Sequence, residues 1–223
     1  MDFAILVGSC DKYDHLWDKF YYLFDKYWDH SIDVPKYIIT QDKDPNLNGF
    51  TNIQTHNDNF TYGLKFSLDQ ISNKNILWLQ DDYFLRQNIS HTQFKRYYDF
   101  FTDNSIDRFG IHDDSELYST IVMQSNPVIC RYHQNSLYTV SLQASLWNID
   151  FLRSCLLQDK DETPWELEVD GSIRLNQEKE HNIWFAVQNK PWYLEACRKG
   201  NFTEDYYNIC REEGIECTQN HCQ

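Results

Sequence analysis

The chain has 223 residues, a net charge of −14, and 41% hydrophobic and 16% aromatic residues, enough to bury one sizeable core. The acidic surplus argues against a nucleic-acid backbone or an anionic lipid surface as partner, because both are held by Lys and Arg; small anionic ligands remain open. No run approaches the ~18 apolar residues of a membrane span, and the start "MDFAILVGSC" lacks the basic opening of a secretion signal, so a cytoplasmic protein without a transmembrane segment is expected.

"FAILVG" (Phe3 to Gly8) is a continuous apolar run ending at glycine, the pattern of a strand buried on both faces. Asp11 fits a helix N-cap, and Leu16, Phe20, Leu23, Phe24 and Tyr27 follow at helical spacing. "PKYIIT" predicts a second strand, "DKDPNLNG" a turn-rich loop, and "FTNIQTH" a short third strand. "TYGLKFSLDQI" predicts a helix with Leu64, Leu68 and Ile71 inward, and "NILWL" a central strand. "HTQFKRYYDFF" and "DRFGIH" predict a helix and a strand.

Ser119 to Val140 is rich in β-branched and aromatic residues and predicts a hairpin or irregular β region. "YTVSLQASLW" (Tyr138 to Trp147) predicts a strand, and "IDFLRSCLL" a short helix. "TPWELEVDGSI" predicts a helix with Thr163 as N-cap and Pro164 at its first position. "HNIWFAV" predicts a late strand, and the tail a helix from Thr203 to Gly214. This alternation points to an α/β fold with a parallel sheet and crossover helices, in a single domain spanning 1–223.

Ligands of such sheets bind beyond the carboxyl ends of the strands. "GSCDKY", "TQDKD" and "QDDYF" occupy three of those ends. Asp81 and Asp82 stand side by side, and two like charges at one spot need water, a donor or a cation. Either they are solvated acids of a turn, or they bind a hard divalent cation, Mn²⁺ or Mg²⁺, through oxygen. Adjacent strand residues face opposite ways, so one carboxylate is expected to face the cleft and the other to orient or cap.

"DETPWELEVDG" carries Asp161, Glu162, Glu166, Glu168 and Asp170. Its acids either complement a helix N-terminus or supply a general base, Glu166, with Trp165 as a platform for a sugar ring. "RKGNF" offers Arg198 and Lys199 either as phosphate contacts or as a solvated loop. His112 and His181 are lone histidines. Cys210, Cys217, His221 and Cys222 fit no standard zinc spacing and no C-x-x-C occurs, so reduced thiols are expected. With seven glycines there is no Gly-rich phosphate loop and no G-x-S-x-G elbow.

Taken together, "ILVGSCDKYDHLWDKFYYLFDKYW", "PKYIIT", "ILWLQDDYFL", "SLQASLWNIDFLRSCL", "ETPWELE" and "RKGNF" resemble a family of small GT-A-type glycosyltransferases. Its members are encoded in bacterial surface-polysaccharide clusters, and similar domains occur in large algal viruses. The resemblance runs from about Phe3 to Phe202. It implies a Rossmann-like, mostly parallel central sheet flanked by helices, with a small β-hairpin region. It also implies a nucleotide-diphosphate sugar as donor and a glycan or glycolipid hydroxyl as acceptor. The family's Asp-x-Asp-type metal motif falls on "QDDYF", where Gln80 holds the first place; Asp82 is the first-choice ligand for Mn²⁺ or Mg²⁺ and Asp81 the second. The resemblance further implies that Ser9, Asp11 and Tyr13 meet the nucleoside and that Lys65 reaches the donor phosphates. Asp81, Trp165, Arg198 and Lys199 complete the donor site, and Glu166, with Glu168 in reserve, is the catalytic base of an inverting transfer. A sugar nucleotidyltransferase and a binding domain that has lost catalysis are the alternatives.

Overall fold

The computed structural model describes residues 1–111, 119–123, 128–132, 136, 138–178, 180–188 and 190–217. The chain begins with β1 (Phe3–Gly8), a 3-10 turn (Asp11–Tyr13) and α1 (Asp14–Tyr27). Next come β2 (Lys36–Thr40), β3 (Thr51–Gln54), α2 (Phe60–Gln70), β4 (Asn75–Gln80), β5 (Tyr83–Leu85) and α3 (His91–Asp103). The middle holds β6 (Arg108–Gly110), β7 (Ser119–Met123), β8 (Val128–Tyr132), β9 (Ser145–Asn148), α4 (Ile149–Cys155) and α5 (Pro164–Glu178). The end holds β10 (Ile183–Val187), β11 (Tyr193–Glu195), β12 (Cys197–Arg198), β13 (Asn201–Phe202) and α6 (Glu204–Glu213).

The main sheet has nine strands in the order β3-β2-β1-β4-β9-β6-β10-β8-β7. The strands β3, β2, β1 and β4 are mutually parallel, β6 and β10 run with them, and β9 and β8 are reversed. It is the mostly parallel, Rossmann-like sheet expected, with an antiparallel β7–β8 pair at one edge. The apolar runs explain its position. In β1, Phe3, Ile5 and Val7 face one hydrophobic cluster while Ala4 and Leu6 face the other; in β4, Leu77 and Leu79 oppose Ile76 and Trp78 in the same way. Helices α1, α3 and α6 cover the first face, and α2, α4 and α5 the second. Leu16, Phe20, Leu23 and Phe24 of α1 are buried, each contributing about 1.5–3 kcal/mol of transfer free energy. Many of the aromatic residues are core: Phe3, Phe24, Trp28 and Phe94 form one chain of ring contacts.

Two local expectations are corrected. Asp11 does not cap α1, which starts at Asp14 without a side-chain cap; its carboxylate instead accepts from the backbone N–H groups of Gln41 (3.0 Å), Asp42 (2.9 Å) and Lys43 (3.0 Å). The strand expected from Tyr138 to Trp147 is confined to Ser145–Asn148. The preceding backbone bonds to α5 side chains: Val140 N–H donates to Ser172 Oγ (3.0 Å) and Leu142 N–H to Glu168 Oε1 (2.6 Å). At the tail, Thr203 caps α6 and Gly214 ends it at φ +67°. His112, His221 and Cys222 lie outside the described residues. Among the described residues Cys10, Cys130, Cys155, Cys197, Cys210 and Cys217 form no disulfide.

Candidate active site

A cavity of about 600 Å³ opens at the carboxyl ends of β1, β2, β3 and β4. Its walls are Gly8, Ser9, Cys10, Lys12 and Tyr13 from the loop after β1, Ile39 and Gln41 from the end of β2, and Thr55 and Asn57 to Phe60 between β3 and α2; Asp11, expected at the nucleoside, is not on the wall. Gln80, Asp81 and Asp82 close the side toward the middle of the sheet, and Pro164 lies at its rim. The floor is the Trp78 indole, which reaches under Gly8; a Cβ at position 8 would overlap that ring, so β1 must end in glycine for the two strands to meet there. The indole N–H donates to the Leu142 carbonyl (2.8 Å), the same peptide segment that Glu168 holds by its N–H.

The two adjacent acids are placed by two different ladders. Asp81 N–H donates to the Gly8 carbonyl (3.2 Å), extending the β1–β4 pairing by one residue. The chain then leaves the main sheet, and β5 pairs antiparallel with β11; Ala196 N–H donates to the Asp82 carbonyl (2.7 Å), extending that second ladder. The strand therefore breaks between the carboxylates, and both border the cavity. Asp81 is the orienting member: it is 3% exposed, and its Oδ2 accepts from Ser9 Oγ and from the Trp17 indole N–H (3.2 Å), which also donates to Ser9 Oγ (2.7 Å). Burial, and then the neighbouring Asp82, push its carboxyl well above the usual range. Asp82 is pushed up to about 7 by burial and by the Glu195 carboxylate.

Around Asp82 the sequence-named Tyr13 and Glu168 are joined by groups that sequence reasoning missed, Glu195 and Tyr83. Glu195 sits directly across from Tyr83 in the β5–β11 register. The Tyr83 phenol is raised by burial, then by the charges of Asp82, Glu195 and Glu168. The Tyr83 ring meets Tyr193 edge-on at 4.9 Å, and Tyr193 donates to Gln143 Oε1 (2.6 Å). The Tyr13 phenol, on the cavity wall, is raised by burial and then by Cys197, Asp82, Cys10 and Asp81. No local sequence signal marks Glu195 or Gln143, because the β5–β11 ribbon that gathers them is built from two three-residue strands far apart in the chain, and Trp17 reaches Asp81 only through the packing of α1 on the sheet.

The remaining candidates fall in different places. Glu166 is half-buried and committed to its helix end: its Oε2 accepts from Thr163 N–H (2.8 Å) and Thr163 Oγ1 (2.9 Å), and its own N–H donates back to Thr163 Oγ1 (3.2 Å). That reciprocal capping box holds its carboxyl below the usual range, which is the wrong direction for a base. Glu168, half a helical turn on, accepts from Leu142 N–H through Oε1 (2.6 Å), and its charge contributes to raising the Tyr83 phenol. Glu162 is buried in a two-pronged ion pair with Arg174 (2.8 and 3.0 Å), and its backbone exchanges hydrogen bonds with Thr61 Oγ1. Trp165 is 62% exposed beside Pro164, edge-on to Tyr138 at 6.4 Å. Lys65 is not on the cavity wall: its ammonium is held by the carbonyls of Leu157 and Gln158, tying α2 to the end of α4. Arg198 is paired with Glu195 through Nε (2.7 Å) and Nη2. Lys199 and Gly200, at φ +51° and +73°, form the two-residue turn of the β12–β13 hairpin. His181 is buried against Asn176 (2.9 Å), and burial lowers its pKa.

The donor set around Asp82 is all oxygen, which suits a hard divalent cation. Among the described residues no three His, Cys, Asp or Glu side chains are grouped to hold an ion by themselves. The site thus fits a cation that takes one or two protein carboxylate oxygens and completes its shell with water and ligand oxygens, as Mg²⁺ does. Among the described residues no helix is long and apolar enough to cross a membrane.

No protein-family model matches the chain, and no curated protein matches it. Among solved structures, S. aureus TarS 1–349 in complex with UDP-GlcNAc is similar with a TM-score of 0.59 at 13% identity, over 96% of this chain and 66% of that one. The same TarS piece in complex with UDP gives 0.56 at 13% identity, over 95% and 64%. CMP:2-keto-3-deoxy-manno-octonic acid synthetase complexed with CTP gives 0.54 at 10% identity, over 96% and 98%. This chain spans just under two thirds of the TarS piece. At these identities the likeness establishes the GT-A-like, Rossmann-type fold.

Proposed function

We propose that the protein is a nucleotide-sugar-dependent glycosyltransferase that moves a hexosyl or deoxyhexosyl group to a glycan or glycolipid hydroxyl. The observation that carries this reading is the pair Asp81–Asp82 on the wall of a nucleotide-sized cavity, one carboxylate fixed by Ser9 and Trp17 and the other left facing the space with a pKa near 7. Solved structures of the same fold hold UDP-GlcNAc, UDP or CTP, which supports a nucleotide donor here.

In this reading the nucleoside part occupies the slot between the β1 loop and the Thr55–Phe60 segment. Asp82 and Asp81 would hold Mn²⁺ or Mg²⁺, which when bound neutralises charge on the leaving diphosphate. Asp81 keeps its geometry through Ser9 and Trp17 and so orients Asp82. In this reading Glu168 removes the acceptor proton: its charge acts on the Tyr83 phenol next to Asp82 and its Oε1 is positioned by Leu142 N–H, whereas the Glu166 carboxyl is held low by its helix cap. A single base aligned against a departing diphosphate gives direct displacement and inversion. Trp165 and Tyr138, at the rim, offer ring faces to the acceptor glycan. The synthesis of surface polysaccharide or glycoprotein glycans is the setting that the sequence resemblance implies.

The test is calorimetry with a panel of nucleotide sugars, with and without Mn²⁺, followed by donor-hydrolysis and transfer assays on each binder. Binding of a nucleotide-diphosphate sugar with slow hydrolysis, accelerated by an acceptor glycan, is the expected result. Binding without any turnover would leave a nucleotide-sugar-binding domain. A second reading, a sugar nucleotidyltransferase, is favoured by the likeness to the CTP-bound synthetase over nearly the whole of both chains. Pyrophosphate release from a nucleoside triphosphate and a free sugar would decide for it.

A further inference from the structure

The cavity wall carries Asp58, Asp81 and Asp82 and, among the described residues, a single Lys or Arg: Lys12. Each of the nearby cations is engaged elsewhere. Lys43 is bound to Asp14 and to the Asp11 carbonyl, Lys65 to the end of α4, and Arg198 to Glu195. The Lys12 ammonium makes no hydrogen bond or ion pair within the described residues; the residue is exposed at the middle of the 3-10 turn that follows β1. Lys12, Cys10 and Asp81 line the same cavity, and the charges of Lys12 and Asp81 both act on the Cys10 thiol.

From this juxtaposition we infer that Lys12 is the protein's own cation for the diphosphate of the donor, the role that sequence resemblance gave to Lys65. The inference rests on the proposed use of a nucleoside-diphosphate donor. A phosphate group entering a cavity with three carboxylates is repelled unless positive charge is already aimed at it, and a flexible, unpaired ammonium on the wall supplies it. Because Lys12 holds no structural bond, its replacement leaves the fold intact.

The experiment measures binding of UDP, CDP and GDP, and of the matching nucleosides, to the full chain in Mn²⁺ by calorimetry, with melting temperature as a control for folding. For whichever diphosphate binds, Lys12→Ala is expected to weaken it roughly 10- to 100-fold, the worth of one charge-assisted hydrogen bond. Lys12→Arg should recover most of that loss, and Lys12→Glu should lose more than Lys12→Ala. The nucleoside should bind wild type and Lys12→Ala alike, and Lys95→Ala, which removes a positive charge from the outer face of α3, should leave diphosphate binding unchanged. If wild type binds a diphosphate and Lys12→Ala binds it equally well, the assignment of Lys12 fails and the proposed function stands. An equal loss for nucleoside and diphosphate would also overturn it, placing Lys12 on the base or ribose. If none of the diphosphates binds wild type, the donor reading itself fails, and the role of Lys12 fails with it.

Discussion

The molecule has two acidic clusters that look alike in sequence and are opposite in physics. At the start of α5, Glu162 is paired with Arg174, Glu166 with the Thr163 cap, and Glu168 with the Leu142 N–H. At the β4–β5 junction, Asp81 has only neutral donors, and Asp82 is raised by burial beside Glu195. The first cluster holds the fold together. The second stores uncompensated charge in a cavity, and a ligand bringing positive charge would release it. Strongly perturbed titratable groups in a cleft are where chemistry is to be sought, and here they separate function from structure better than the count of acids does.

The largest expected effect is at the unpaired cluster. Asp82→Asn should lower sugar transfer by about 10²–10³-fold or more, the scale of removing one electrostatic stabiliser. At the same time it should raise the melting temperature of the metal-free protein at pH 8, because it deletes a buried charge; a rate loss accompanied by a stability loss would break the contrast. Glu168→Gln should reduce kcat about 10²–10⁴-fold with donor binding preserved, the range of a general base. Glu166→Gln should leave kcat within a few-fold, and the reverse ranking of the two variants would return the base to Glu166. Within the paired cluster, Arg174→Ala strands the Glu162 carboxylate and should cost about 3 kcal/mol in denaturant unfolding.

The smallest effect is the most diagnostic. Asp81 and Asp82 have folded pKa values above their unfolded ones, so both states hold the proton at low pH and only the folded state keeps it as pH rises. The stability this contributes is fully present below the unfolded value, close to 4, and falls as the pH rises, for Asp82 through about 7. Metal-free protein should therefore melt several degrees lower at pH 8 than at pH 5.5, and Mn²⁺ should flatten the slope. Glu166 has the opposite sign: its lowered pKa contributes stability above the unfolded value that disappears as the pH falls below it.

Most of the fold was legible in the sequence because its central strands are buried on both faces and its helices carry regular apolar spacing. Phe3 to Gly8, Asn75 to Gln80 and the helix capped by Thr163 could be read directly. The loop 138–144 could not: it has strand composition, but Ser172 and Glu168 take its amides before a neighbouring strand can. The site was legible as far as Asp81 and Asp82 and no further. Whether an acid is paired depends on partners distant in sequence, as with Ser9 and Trp17 for Asp81. The capping signature of Thr163–Glu166 was visible but competed with the resemblance, which gave that residue a catalytic role. Lys65 and Lys12 differ only in where tertiary contacts send them.

The Gly8–Trp78 contact has a genetic consequence. One residue has no side chain because the other has the largest one, so positions 8 and 78 behave as a single steric unit shared between two strands. Gly8→Ala alone should displace the indole, free its bond to Leu142 and, through that peptide, the anchor of Glu168. Paired with a smaller ring at position 78, the same change becomes tolerable. Drift at the cavity floor is thus confined to coordinated double steps.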